Sequence, residues 1–359
     1  MKYIDEYRKK ELITALTDEI RRISRKEVAL MEVCGGHTMA IHRFGLHSLL
    51  PANIRLISGP GCPVCVSARQ FIDTAVACST LPGSILATYG DLIRVPGSAS
   101  SLEKEKATGS DVRIVYSVLD AVELAAGNPE KKVFFPGIGF ETTAPATAAA
   151  IVRAKQENIR NFFVLSAHKI MPPVMAALVR DGVRLDGFIA PGHVSAIAGT
   201  EMYRPLADES GLGVVVAGFE PTDILQAVLM LVKQLESARP RVEIQYRRSV
   251  RPEGNRIAMD LLDRVFELKD DAWRGLGVIP LSGLKIREEY AEWDAERNFD
   301  LAVPPSDEPG GCICGSVLRG LKTPADCRLF ATACTPADPV GACMVSSEGA
   351  CAAFYKYRR

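Results

Sequence analysis

Hydrophobic positions along the chain fall into short, near-continuous runs separated by stretches of helical periodicity. Eight such runs occupy residues 28–33, 54–58, 85–89, 112–117, 133–136, 162–166, 187–190 and 213–217. Each is bounded by Gly, Pro or polar residues, the signature of buried parallel strands in βα units. Before them, residues 3–24 carry Leu12, Ile13, Leu16, Ile20 and Ile23 on one stripe. That predicts an amphipathic helix, packed on its own domain or docked on a partner. After them, residues 220–236 open with Pro221-Thr222-Asp223 and are apolar at 224, 225, 228, 229, 232 and 235, a second helix.

The fold class expected is α/β. The eight strands divide four and four around a break at 123–132, which predicts two similar parallel-sheet lobes, 25–122 and 123–240, facing across a cleft. Residues 1–24 and 241–359 would form a third, helical and Cys-rich part with little regular structure. A single eight-stranded barrel is the competing arrangement.

Charge narrows the partners. Lys plus Arg and Asp plus Glu number 43 each, so the formal net charge is zero. Binding nucleic acid or an anionic membrane through bulk charge is therefore not expected. The first 23 residues are rich in charge and lack an apolar signal core, and no run approaches a membrane span. A cytoplasmic chain, monomeric when alone, is the expectation, with thiols kept reduced unless they serve redox chemistry or a metal.

Six of the ten cysteines fall in the last fifty residues: Cys312, Cys314, Cys327, Cys334, Cys343 and Cys351. The segment is too poor in apolar periodicity to build its own core, so cysteine chemistry must tie it down. Disulfides suit a reducing compartment poorly. Zinc sites usually show two close C-x2-C pairs, whereas this tail has one C-x-C and long gaps, a spacing closer to iron–sulfur ligation. In an extended segment Cys312 and Cys314 would face opposite ways, suggesting four ligands and a separate redox pair. Spacing alone does not choose them.

The carboxyl ends of parallel strands are where α/β proteins bind ligands. Those ends carry Cys34-Gly-Gly-His37-Thr, Gly59-Pro-Gly-Cys62-Pro-Val-Cys65, Pro136-Gly-Ile-Gly-Phe-Glu141-Thr-Thr143, His168 and Pro191-Gly-His193-Val-Ser195. Cys34, ahead of two glycines and a helix expected near Thr38, reads as a thiolate of lowered pKa, a nucleophile or soft-metal ligand, or else a small buried residue. His37 would share its metal, hold a proton, or bond the loop backbone. Cys62 and Cys65 form a C-x-x-C between strand and helix, a thioredoxin-type dithiol or half a zinc site. Glu141 is a proton carrier or a first-turn carboxylate. His168 and His193 are divided between cleft function and loop bonding. Cys78, and His42 and His47, read as packing or surface residues. Gly137-Ile-Gly139 lacks the third glycine of a dinucleotide finger, and no phosphate loop is present.

These motifs, with the tail Gly311-Cys-Ile-Cys-Gly-Ser-Val-Leu-Arg-Gly320, Cys327-Arg-Leu-Phe330, Cys334-Thr-Pro336 and Cys343-Met-Val-Ser-Ser-Glu-Gly-Ala-Cys351, resemble the hydrogenase maturation HypD family over nearly the whole chain. The resemblance implies a role in building the Fe(CN)2CO group of [NiFe] hydrogenases. It implies one [4Fe-4S] cluster on Cys312, Cys327, Cys334 and Cys351, a redox pair Cys314/Cys343, and a second dithiol Cys62/Cys65. It further implies a complex with a HypC-type chaperone, with iron held at Cys34 near His37, and cyanide supplied by HypE with HypF. A cluster-dependent thiol–disulfide reductase and a non-redox scaffold are the alternatives.

Overall fold

A computed structural model describes residues 5–301, 303–306 and 308–358. All eight expected strands form: β1 (Val28–Glu32), β2 (Ile54–Ser58), β3 (Ser84–Thr88), β4 (Val112–Ile114), β5 (Lys132–Gly139), β6 (Phe162–His168), β7 (Gly187–Pro191) and β8 (Gly213–Ala217). Most are buried along their length, which is why they read as unbroken apolar runs rather than alternations. Three more strands were not legible: β9 (Val242–Ile244) and the pair β10 (Phe266–Trp273) and β11 (Gly277–Ile286).

The strands lie in two open parallel sheets, not a barrel. One sheet has the order β2-β1-β7-β8-β9 and the other β4-β3-β5-β6. The strand grouping therefore differs from the consecutive sets 25–122 and 123–240. β3 to β6 form a block set between β2 and β7, and the break at 123–132 falls inside that block. A βα pattern reports that each strand is parallel and covered, but not which neighbour it pairs with. In each sheet the order reverses once, between β1 and β7 and between β3 and β5. Those are the switch points where crevices open.

The N-terminal helix spans Lys10–Ile23; the expected start at residues 3 and 4 lies outside the described residues. Its Ile20 is buried with Ile224, Val228 and Leu231 of helix Pro221–Glu236, so it packs on its own domain. Among the described residues no helix is long and apolar enough to cross a membrane.

The third part contains the β10–β11 hairpin, contrary to the purely helical and irregular expectation. Only Phe266 and Trp273 of β10 are fully buried, and charged Glu267, Lys269, Asp270 and Asp271 stand between them, which hides it from a search for apolar runs. The hairpin stitches the molecule together. Ile170 N–H donates to Ser282 O at 3.0 Å, and Arg274 N–H donates to Val66 O at 2.9 Å. The buried Arg274 Nε donates to Ser67 O at 2.8 Å. At the turn, Gly275 (φ +71°) has no room for a side chain, because a Cβ would fall 2.3 Å from the Cα of Gly315. The hairpin tip thus rests on the tail beside Cys314.

Lys169, at the end of β6, is buried against this hairpin. Its Nζ lies 2.5 Å from Asp271 Oδ2 and 2.8 Å from Ala272 O, over the Trp273 ring. Removing one partner of such a pair strands the other charge. Asp271→Ala is expected to cost about 3–5 kcal/mol in urea denaturation. Adding Lys169→Met should recover part of the loss; additive losses would show that the pair is not what holds this seam.

Candidate functional site

Cys34 ends the β1 connection and stands at the N-cap of helix Gly35–Arg43, which begins three residues earlier than expected. The loop after β2 passes directly beneath it. Gly35 N–H donates to Gly61 O at 3.2 Å, and a Cβ on Gly61 would lie 2.0 Å from the backbone nitrogen of Cys34. Only glycine fits at that crossing.

Glu32 holds the same peptide from the other side. Its Oε2 accepts Cys34 N–H at 3.0 Å, and Thr38 Oγ1 lies 2.5 Å from its Oε1. Burial pushes this carboxyl up to about 8, so it is a neutral acid at pH 7. Glu32 was missed in the sequence, although a lone acid closing the run Val-Ala-Leu-Met-Glu was a usable signal.

The helix start does not lower the Cys34 thiol. The sulfur is buried, and burial pushes its pKa well above the ordinary value despite backbone N–H groups of His37 and Gly36. The free thiol is therefore protonated, contrary to the expected thiolate. His193, on helix Gly192–Ala198 after β7, places Nδ1 3.8 Å from Cys34 Sγ. Of the two divided histidines, this one belongs with Cys34.

His37 is buried one helical turn on. Its Nε2 lies 2.9 Å from Gly218 O, so this nitrogen donates and Nδ1 carries the lone pair. That Nδ1 is buried without a hydrogen-bond partner. Burial lowers the ring to about 4, so it is neutral. Phe219 packs against both imidazoles, with centroids 4.9 Å from His37 and 5.3 Å from His193. Phe219 was not singled out in the sequence, and its Gly-Phe-Glu-Pro context carries no chemical signal.

His168 does not join them. Its ring nitrogens lie 3.2 Å from Thr147 Oγ1 and 3.3 Å from Ser166 Oγ, inside the four-stranded sheet's own layer. Glu141 is buried at the second switch point. Met171 N–H donates to its Oε1 at 2.9 Å, while Oε2 has no partner, and burial raises it to about 7. The buried Tyr203, hydrogen-bonded to Ser195 Oγ at 3.1 Å, interacts electrostatically with both Glu141 and Cys34. Cys78 is core, as expected.

Cys62 caps the short helix Pro63–Val66, and Cys65 N–H points at its sulfur, 3.4 Å away. Both are buried in one apolar cluster with Cys314, Cys334, Cys343 and Cys351. Within it Cys65 interacts electrostatically with Cys62 and Cys343, and Cys343 also with Cys314. Cys314 in turn meets Cys312, at 3.3 Å between sulfurs, and Cys351. This line of sulfurs from the cleft to the tail had no counterpart in the spacing argument.

The opposite-faces reading of Cys312 and Cys314 is corrected. Cys314 opens helix Cys314–Leu318, so the segment turns and both sulfurs reach one pocket. Cys312, Cys314, Cys327, Cys334 and Cys351 line that pocket with Leu329, Phe330 and Met344, and Cys343 lies off it. A side chain on Gly341 would meet the sulfurs of Cys312 and Cys314 at 2.8 Å each. Among the described residues no three His, Cys, Asp or Glu groups are arranged to hold a single metal ion. Five thiols around an apolar pocket nevertheless form a donor set whose chemistry suits an iron–sulfur cluster.

Fold and site define a class: a two-sheet α/β protein whose switch-point cysteine stands beside a C-x-x-C loop that is buried together with a cysteine-rich tail. A family model, HypD, described as the hydrogenase formation hypA family, matches residues 10–358. The hydrogenase maturation factor HypD of Rhizobium leguminosarum is 49% identical over 375 residues, covering 100% of this chain and 96% of that protein. Its counterparts in Cupriavidus necator and Azotobacter vinelandii are each 48% identical and cover 100% of this chain, 98% and 97% of theirs. The chain belongs to the HypD family of hydrogenase maturation factors.

Two outcomes test this geometry. Gly61→Ala is expected to cost about 1–3 kcal/mol, read from the urea midpoint, because backbone rather than a flexible side chain must yield. A variant as stable as the parent would mean that the crossing is loose. Glu141, raised from 4.5 to about 7, keeps a proton in the folded state that the unfolded chain has lost. Its contribution is full below about pH 4.5 and fades as pH rises through 7. Glu141→Gln should therefore flatten the decline in urea midpoint between about pH 5 and pH 7.5; an unaltered slope assigns that decline elsewhere.

Proposed function

We propose that this chain is the scaffold and electron relay on which the Fe(CN)2CO group of [NiFe] hydrogenases is assembled in the cytoplasm. The observation that carries the reading is the burial of Cys62 and Cys65 in one cluster with Cys314, Cys334, Cys343 and Cys351 of the tail. The cargo is an iron ion, gripped by Cys34 together with a HypC-type chaperone. Cys34 must give up its proton to bind a cation, and the neutral His193 at 3.8 Å is placed to receive it. The unpartnered Nδ1 of His37 offers a lone pair in the same crevice.

Cys312, Cys327, Cys334 and Cys351 would hold a [4Fe-4S] cluster, which when bound supplies electrons one at a time. Cyanide arrives from HypE, charged by HypF, as a thiocyanate on a cysteine of that partner. Releasing it needs two electrons: the S–CN bond breaks, cyanide goes to iron and a thiolate remains. The Cys62/Cys65 dithiol provides both by closing to a disulfide with loss of two protons. The Cys314/Cys343 pair, which interacts with Cys65 through Cys343, would return that disulfide to the dithiol by passing it two electrons and two protons and closing to a disulfide itself. For such a couple about 30 mV corresponds to roughly 1.4 kcal/mol, so small differences in thiol stability set the direction.

In protein co-produced with its chaperone, Cys34→Ser should abolish the infrared bands of iron-bound cyanide and carbon monoxide while the cluster's absorbance persists. Cys62→Ser and Cys343→Ser should each keep the cluster yet stop cyanide transfer. Continued transfer in both would leave a scaffold without a relay.

A further inference from the structure

A cavity of about 840 Å3 lies away from Cys34, between β2 and the C-terminal helix Ala350–Tyr357. Its rim carries Arg43, Arg55, Lys322, Lys356 and Arg358, and among the described residues no Asp or Glu lines it. Among the described residues none of these five cations forms an ion pair in contact, and only Lys322 has a carboxylate, Asp326, near enough to interact with it. In a chain whose charges balance at 43 each, that local excess is a separation of charge and attracts an anion. The floor is apolar, built from Leu56, Ile57, Val317 and Phe354.

The groove also exposes an unspent sheet edge. β2 is the outer strand of its sheet. Its register with β1, together with Val28 N–H donating to Asn53 O and Gly59 N–H to Glu32 O, turns the backbone of residues 53, 55, 57 and 59 inward. The N–H and C=O groups of Leu56 and Ser58 therefore face outward, and both residues line the groove. An open edge of this kind is a template for an added strand.

We propose that this groove captures an extended acidic segment of a protein partner, which pairs as an added strand on β2. Alternate apolar side chains of that segment enter the floor, and the intervening carboxylates meet the basic rim. The site stands at the far end of helix Gly35–Arg43 from Cys34, so its occupant docks without entering the crevice.

The test uses the full-length protein, prepared anaerobically, and a fluorescein-labelled decapeptide alternating valine and glutamate. Anisotropy should show saturable binding that weakens steeply with salt. The double variant Arg55→Glu, Lys356→Glu should bind at least about tenfold more weakly while its thermal midpoint holds, as expected for losing and reversing two groove charges. On the parent protein, methylating alternate amide nitrogens of the peptide on its pairing edge should abolish binding. No saturable binding, equal binding by the double variant, or equal binding of the methylated peptide each overturns the proposal. Indifference to methylation, with displacement by inorganic phosphate, would identify a small-anion site instead.

Discussion

The contact on which the rest depends is the passage of Gly61 beneath the backbone of Cys34, where a single methyl group would lie 2.0 Å from the Cys34 nitrogen. It exists because β1 and β2 are neighbours in register, so the loops leaving their carboxyl ends are laid on one another. One loop carries the switch-point thiol and the other the C-x-x-C. The same crossing sets Cys65 deep enough to meet Cys343 of the tail. Loosening it would disturb the crevice, the dithiol and the tail pocket together, although the tail lies hundreds of residues away in the chain.

Burial has a second consequence. Cys34, His37, His193, Glu32 and Glu141 are all driven by burial toward their uncharged forms. A site neutral at rest in a low-dielectric setting makes any arriving charge expensive unless a proton leaves in exchange. In the proposed function, metal capture by Cys34 and oxidation of a dithiol would both release protons, so each would be coupled to the neutral bases nearby. The raised thiol pKa is thus compatible with iron handling: it keeps the sulfur inert until a cation brings its own stabilisation.

How much of this was legible in the sequence follows from what local pattern encodes. Buried parallel strands announce themselves as apolar runs, and all eight were found close to their true limits. Strand ends followed, and with them Cys34, Cys62, Cys65 and His193. Strand order did not follow, since it depends on which surfaces the crossover helices cover. That one omission misplaced the lobe boundary and hid the meeting of Cys34 with His193 across β1 and β7. The C-x-C argument failed because it assumed an extended backbone where a helix begins at Cys314. The β10–β11 hairpin escaped because four charged residues, Glu267, Lys269, Asp270 and Asp271, interrupt β10 between its buried ends Phe266 and Trp273.

The hairpin matters more than its late appearance suggests. The tail has few elements of its own, and its helices are short: Cys314–Leu318 and Ala350–Tyr357 flank two isolated turns. Such a segment cannot fix sulfur positions by regular structure. It borrows rigidity instead, from Gly275 seated on Gly315, from Arg319 donating to Gly275 O at 2.6 Å, and from the shared core with Cys62 and Cys65. The hairpin is anchored in turn by the Lys169–Asp271 pair at the end of β6. If the thiols change redox state as proposed, such external bracing is what would keep the array in place, because its own bonds would be the ones that change.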